Sequence, residues 1–104
     1  MDTQMKKGIL EMCVLYMLKD EPFYGYELMK SVRKIFPDVY EGSIYTILRR
    51  LNATGCTDII RKESASGPVR KYYRITTQGQ DYLNQMIDEW RHLVNGVAQF
   101  GIDW

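Results

Sequence analysis

The chain has little of the side-chain chemistry on which most enzymes and metal sites depend. Its 104 residues include one histidine and two cysteines. His92 stands between Arg91 and Leu93 with no cysteine or carboxylate at metal-ligand spacing, and no glycine-rich phosphate loop or nucleophile elbow is present. The sequence therefore predicts no catalytic residues, no metal site and no cofactor. His92 is interpreted as a solvated residue on a helix face.

Cysteines and long apolar runs are equally scarce. Two cysteines are too few for a disulfide scaffold or a structural zinc site, and Cys13 is interpreted as a small buried hydrophobe rather than a redox sensor. Cys56 is a weaker candidate for either role. No apolar run reaches the ~20 residues that a membrane span needs. The segment after Lys6 and Lys7 lacks the cleavage site of a signal peptide, so we expect a cytoplasmic protein with no membrane partner.

The net charge is small, but the charges are unevenly distributed along the chain. The whole sequence carries +1. The segment from Lys30 to Arg50 has five basic and two acidic side chains, and the segment from Arg61 to Arg74 has five and one. The last 24 residues have four acidic side chains and one arginine. A basic middle beside an acidic tail can hold phosphates on one face while the molecule stays near neutral.

Apolar spacing predicts four helices, over about residues 3–19, 25–35, 41–54 and 78–99. Gly42 or Ser43 can cap the start of the third helix, and Gly55 suits a left-handed C-cap at its end. Thr76 or Thr77 can cap the last helix. The residues predicted to face inward are Tyr26, Leu28, Met29, Val32 and Ile35 in the second helix and Ile44, Ile47, Leu48 and Leu51 in the third.

Two short strands follow the third helix, around Ile59-Ile60 and Tyr73–Ile75, and a Gly67-Pro68 tip joins them. Helix, strand, turn and basic strand is the order of a winged helix-turn-helix. We therefore predict a mainly α fold with a small β-hairpin: a winged helix-turn-helix plus a long C-terminal dimerisation helix. Residues 1–76 would form the DNA-binding domain, with its N-terminal helix also in dimer contact. Residues 77–104 would form the dimerisation helix of the same compact unit.

The third helix and the hairpin carry the candidate contacts to double-stranded DNA. Hydroxyl groups can bond phosphates or base edges, and arginine can do either. The alternative is a surface helix and an edge hairpin that merely carry solvated charges. The predicted DNA-binding residues are Ser43, Tyr45, Thr46, Arg49, Arg50, Arg70 and Lys71.

The first and last helices carry more apolar surface than so small a domain can cover. The first helix is apolar on two faces, and the last keeps apolar residues at a 3–4 spacing over more than two heptads. Packing on its own domain is the alternative for the last helix, but its ~30 Å length favours a second copy of the chain. The predicted dimer interface comprises Met5, Ile9, Leu83, Ile87, Trp90, Val94 and Val97.

Three motifs together resemble a known family. They are Tyr24-Gly25-Tyr26-Glu27-Leu28, then residues 42–51 (GSIYTILRRL) with Gly55, and residues 67–76 (GPVRKYYRIT) with Gly79. In order and spacing they are similar to the PadR family of bacterial transcriptional regulators, and the chain length is similar to its short subfamily. The resemblance implies a homodimeric winged helix that represses promoters from inverted-repeat operators. It also implies that Tyr45 and its neighbours touch DNA, with Arg70 and Lys71 at the wing.

The resemblance also implies an effector site. In short members that sense planar cationic or aromatic drugs, a tryptophan of the last helix lines a pore at the dimer interface, and Trp90 lies in a similar place. A tryptophan face attracts flat aromatics and cations. The candidate effector-binding residues are Trp90, Glu89 and Met12, and the alternative for Trp90 is a seam residue that packs against a partner helix.

A function of another class stays open. Winged helices also serve as protein-interaction modules without specific DNA binding, and a fold alone does not decide between the two.

Overall fold

The computed structural model describes residues 3–65 and 67–102, and it leaves the side chains of residues 3–5 undescribed. The elements in chain order are α1 (Thr3–Met17), β1 (Phe23–Tyr24), α2 (Gly25–Ile35), α3 (Glu41–Ala53), β2 (Thr57–Ser64), β3 (Gly67–Ile75) and α4 (Thr77–Gln99). The predicted fold class is confirmed: four helices and a β-hairpin in winged helix order, with a long C-terminal helix. The first helix ends at Met17, two residues earlier than predicted.

A third strand completes the sheet, whose strand order is β1-β3-β2 with antiparallel pairing throughout. In β1, Phe23 pairs with Tyr73 and Tyr24 pairs with Tyr72. The sequence did not predict this strand because two residues are too short for any periodicity. Because α2 follows β1 directly, the pairing of β1 with β3 holds the first turn of α2 against the hairpin.

The end of α3 follows from Gly55, which has a φ of 84°. The Cys56 amide donates to the carbonyl of Leu51 at 2.9 Å, and the Gly55 amide donates to the carbonyl of Asn52 at 3.1 Å. These two bonds form a Schellman motif, so the predicted left-handed C-cap is confirmed. The N-cap prediction was wrong: the cap residue is Tyr40, which makes no side-chain capping bond.

The start of α4 is packed tightly against the end of α3. Thr76 is the N-cap: its hydroxyl accepts a hydrogen bond from the Gly79 amide at 3.0 Å and donates one to the Gly55 carbonyl at 2.7 Å. A Cβ on Gly79 would overlap the carbonyl oxygen of Cys56. The glycine is therefore needed for this close approach, which sets the direction in which α4 leaves the winged helix.

One hydrophobic cluster joins the four helices and the sheet. The predicted core stripe of α3, from Ile44 to Leu51, is buried. In α2 the prediction was partly wrong, because Tyr26 and Ile35 are exposed. Leu83 of α4 is 2% exposed and belongs to this cluster. That burial leaves Leu83 no surface for a partner chain, so we remove it from the predicted dimer interface.

Candidate nucleic-acid interface

A groove of about 590 Å³ separates α3 from the wing, which is the hairpin of β2 and β3. Four of the seven predicted DNA-binding residues line it: Tyr45 and Arg49 from α3, and Arg70 and Lys71 from β3. The two elements are joined because Tyr73 of β3 lies in the core beneath them. Three cations and a phenol therefore converge on one exposed cleft, which is the chemistry that phosphates and base edges require.

Tyr45 is the least exposed of these four residues, and its ring packs against the core. Burial, followed by the nearby carboxylate of Glu41, raises the pKa of the Tyr45 hydroxyl. An ordinary tyrosine already titrates near 10. The hydroxyl is therefore protonated at neutral pH and available as a hydrogen-bond donor to an anion.

Arg49 is oriented by its own helix. The Thr46 hydroxyl donates to the carbonyl of Gly42 at 2.8 Å, and Arg49 Nη2 donates to the Thr46 hydroxyl oxygen at 3.1 Å. Thr46 is thus exposed, as predicted, but its hydroxyl is already engaged on the helix surface. Its clearest effect is to hold the guanidinium of Arg49 over the outer face of α3.

The wing brings in aromatic residues that the sequence analysis did not select. The guanidinium of Arg70 lies 4.7 Å from the ring centroid of Tyr24, and the ammonium of Lys62 lies 4.7 Å from that of Tyr72. Tyr24 and Tyr26 line the same groove as Tyr45. Both were visible in the Tyr24-Gly25-Tyr26 motif, but only the β1–β3 pairing brings them to the wing.

Arg50 does not line the groove beside the wing. Its guanidinium is ion-paired with Glu11 of α1, and it lines a cavity between α3 and α4 with Glu11 and Tyr82. Arg50 also lines a groove on the flank of α3 that faces away from the wing. The Glu11 carboxylate also accepts a hydrogen bond from the Tyr82 hydroxyl at 3.2 Å. Arg50 therefore links helices within the chain, and its role in DNA binding stays a prediction that this ion pair disfavours.

Ser43 lies on the flank of α3 that faces away from the wing. It is exposed and lines a second groove, together with Thr46 and Arg49. Arg49 lines both grooves, so the outer face of α3 is continuous from the wing to this flank.

An apolar groove of about 620 Å³ lies on another side of the molecule, between α1, α2 and α4. Met12, Ile87 and Trp90 line it, as does the exposed Ile35. The structure thus brings together two of the three predicted effector-binding residues. The third, Glu89, is exposed and does not line the groove, whereas Arg91 does.

The remaining predicted interface residues continue along this side. Ile9 and Val94 are half-buried, and Val97 is 39% exposed. Beyond them Phe100 and Ile102 are exposed. The side chain of Met5 lies outside the described residues.

No cluster of three histidine, cysteine or acidic side chains that could hold a metal ion occurs among residues 3–65 and 67–102. Within the same ranges, no helix is both long and apolar enough to cross a membrane. The notable surfaces of this part of the chain are the basic grooves beside α3 and the apolar groove beside α1.

Solved structures of known regulators have the same architecture. A PadR-like transcriptional regulator from Bacillus cereus is 38% identical, with 98% of this chain and 100% of that chain covered and a TM-score of 0.83. A Streptococcus transcriptional regulator is 32% identical, with 97% and 100% covered and a TM-score of 0.86. A PadR family transcriptional regulator from Eggerthella lenta is 32% identical, with 93% and 85% covered and a TM-score of 0.80.

The sequence itself also matches a family model. Residues 14–85 match the model of the transcriptional regulator PadR-like family, and this segment holds α3, the wing and the start of α4. Its members are transcriptional regulators rather than enzymes. The chain belongs to the PadR-like family of transcriptional regulators.

Proposed function

We propose that this PadR-like regulator is a cytoplasmic, homodimeric repressor that binds an inverted-repeat operator and blocks access of RNA polymerase. The observation that carries the proposal is the convergence of Tyr45, Arg49, Arg70 and Lys71 on one groove. A helix that presents such residues fits the major groove, and a basic hairpin beside it suits the flanking backbone.

Each side chain of the groove has a chemical role in this proposal. Arg49 is the candidate base-reading residue, because a guanidinium held by Thr46 offers a fork of donors to guanine. Tyr45 would donate to a phosphate, since its hydroxyl is kept protonated. Arg70 and Lys71 would contact the flanking backbone, where their contribution depends on salt but little on sequence.

Dimerisation is supported by the apolar side of α1 and α4. Ile35, Leu93 and Val97 are exposed although they are apolar, and they lie beside or beyond the groove that Trp90 lines. A contiguous apolar surface of this kind is typical of an interaction site. Two-fold pairing would place the two α3 helices in successive major grooves, about 34 Å apart.

The same groove is the candidate effector site. Met12 and Trp90 offer a thioether and an indole face to a flat ligand. Because Arg91 rather than Glu89 lines the groove, we propose an uncharged or anionic planar aromatic effector in preference to a cation. Binding there would change the spacing of the two α3 helices, and a change of ~1.4 kcal/mol in operator affinity would alter it tenfold.

Fluorescence anisotropy tests the proposal. The protein would be titrated into a labelled fragment of its own upstream DNA at two salt concentrations, with a scrambled competitor. We expect tight binding that survives the competitor and weakens steeply with salt. Lys19→Ala, which removes a lysine beyond the end of α1, is the matched control and should bind like the wild type. Equal affinity for the scrambled fragment would instead favour the alternative, a winged-helix protein-interaction module.

A further inference from the structure

The second groove, on the flank of α3 opposite the wing, has a volume of about 700 Å³. Its walls come from the first turns of α1, the loop before α3, and α3 itself. The residues that matter here are Lys6, Lys7, Tyr40 and Ser43. Tyr40 is 80% exposed although it is the N-cap residue of α3, so its hydroxyl is open to a ligand in this groove.

Lys6 is held in place at this groove. Its ammonium donates to Asp38 Oδ2 at 3.0 Å, which ties the first turns of α1 to the loop before α3. That hydrogen bond is the main reason why the pKa of the Asp38 carboxyl is lowered, so this carboxyl is charged at neutral pH. Leu10, one turn further along α1, is buried in the core and anchors the helix at this distance from α3.

Lys7 is exposed beside this pair, and its ammonium makes no hydrogen bond or ion pair with another described residue. At about 100° per residue, it lies on the other side of α1 from Ile9. Dimerisation through the predicted interface would therefore leave Lys7 uncovered. Its long flexible stem suits a point contact to a phosphate.

The position of this groove relative to the wing decides what it can bind. Arg49 lines both grooves, so α3 lies between the cations of the wing and the lysines of α1. A helix that enters a DNA major groove has a sugar-phosphate strand on each side of it, about 12 Å apart. The cations of the wing can contact the strand on their side of α3. The strand on the other side of α3 receives no cation from β3.

We infer that the start of α1 is a second backbone clamp, in which Lys6, Lys7 and the hydroxyl of Tyr40 hold the phosphates of the DNA strand across the major groove from the wing. This inference rests on the proposed function and extends it: the contact is to phosphates and adds affinity and orientation without reading sequence. An acidic protein partner would also be attracted by these cations, but duplex DNA is the ligand that places a phosphate strand on each side of a helix in its major groove.

The salt dependence of DNA binding provides the test. Because each dimer carries the change twice, Lys7→Gln should weaken binding by roughly three- to tenfold, for the operator and for scrambled DNA alike, and should reduce the log–log salt slope by about 1.8, or about 0.9 for each subunit. Lys6→Gln should act in the same direction. Lys19→Gln, two residues beyond the C-terminal end of α1, removes the same charge and should leave the affinity and the salt slope unchanged. Circular dichroism and the unfolding midpoint would check that each variant is folded.

A position-specific measurement accompanies it. A photoreactive p-benzoylphenylalanine placed at position 7 should crosslink to one DNA strand, and the same group at position 71 should crosslink to the other strand of the same half-site. Crosslinks from both positions to one strand would overturn the inference, as would a Lys7→Gln variant with the wild-type affinity and salt slope. In both cases the wild type would still bind its operator. If the wild type itself shows no salt-dependent DNA binding, the proposed function fails and this inference fails with it.

Discussion

The carboxylate of Glu11, in the middle of α1, is ion-paired with the guanidinium of Arg50 on the flank of α3. The same carboxylate accepts a hydrogen bond from the hydroxyl of Tyr82 in α4. Glu11 is 8% exposed, so three helices meet at one largely buried charge. We therefore expect a displacement of α4 to be transmitted through Glu11 to the flank of α3 that carries Arg50 and Ser43.

The first prediction concerns the stability of this link. Arg50→Ala should lower the free energy of unfolding by about 3 kcal/mol, because the carboxylate of Glu11 would remain buried without a counter-charge. Urea denaturation measures the loss. The double variant Glu11→Gln/Arg50→Met should recover most of it, since neither charge is then buried. An Arg50→Ala variant as stable as the wild type would show that the ion pair with Glu11 does not stabilise the fold, and would favour a role for Arg50 in DNA binding.

The second prediction concerns Arg49. Arg49→Ala should weaken operator binding by about 1–3 kcal/mol while binding to scrambled DNA changes much less, as expected for a base contact. Competitive anisotropy against both fragments separates the two effects. Lys71→Ala is the contrasting variant and should weaken binding to both fragments equally, with a salt slope reduced by about 2, or about 1 for each subunit of the dimer. Equal losses for Arg49→Ala on both fragments would make Arg49 a phosphate contact instead.

The third prediction concerns the dimer. Val97→Glu should yield monomers and weaken operator binding strongly, because it places a charge in the exposed apolar side of α4. Asn95→Glu adds the same charge at an exposed polar position of the same helix and should remain dimeric. Sedimentation velocity distinguishes them. Two variants with identical sedimentation would exclude Val97 from the interface.

The fourth prediction concerns the junction of α3 and α4. Gly79→Ala should destabilise the protein by about 1–3 kcal/mol, because the new methyl group overlaps the Cys56 carbonyl and the junction must open. Gly96→Ala, in the same helix, has open space at the corresponding point and should gain up to about 1 kcal/mol from helix propensity. Thermal unfolding of both variants gives the comparison. A loss of stability for Gly96→Ala as large as for Gly79→Ala would show that overlap is not the cause.

Local rules of sequence were sufficient for the helices and the turn after α3. Residues 25–35 were predicted as a helix and form α2 with those bounds, because their apolar spacing and the Pro37-Asp38 stop are local signals. Gly55 similarly marked the end of α3 through its tolerance of positive φ. Tyr45, Arg49, Arg70 and Lys71 were selected because they are polar residues opposite a core stripe or at a hairpin.

The assignments that needed revision involve partners distant in sequence. Arg50 and Arg49 are adjacent and chemically identical, yet Arg50 pairs with Glu11 and Arg49 lines the groove beside the wing. Leu83 and Val97 occupy the same apolar seam, yet one is in the core and the other is exposed. Periodicity assigns both members of each pair to similar faces, because it contains no information about which element lies opposite.

The sequence by itself determined that this chain is a winged helix with a basic third helix and a surplus of apolar surface, since these properties follow from periodicity, turn chemistry and charge along the chain. Only the tertiary structure decided which cations face outward, which tyrosines join the wing and where the lysines of α1 lie. The β1–β3 pairing and the packing of α1 against α3 bring together residues tens of positions apart. Such contacts depend on the three-dimensional packing of whole elements, and no local pattern encodes them.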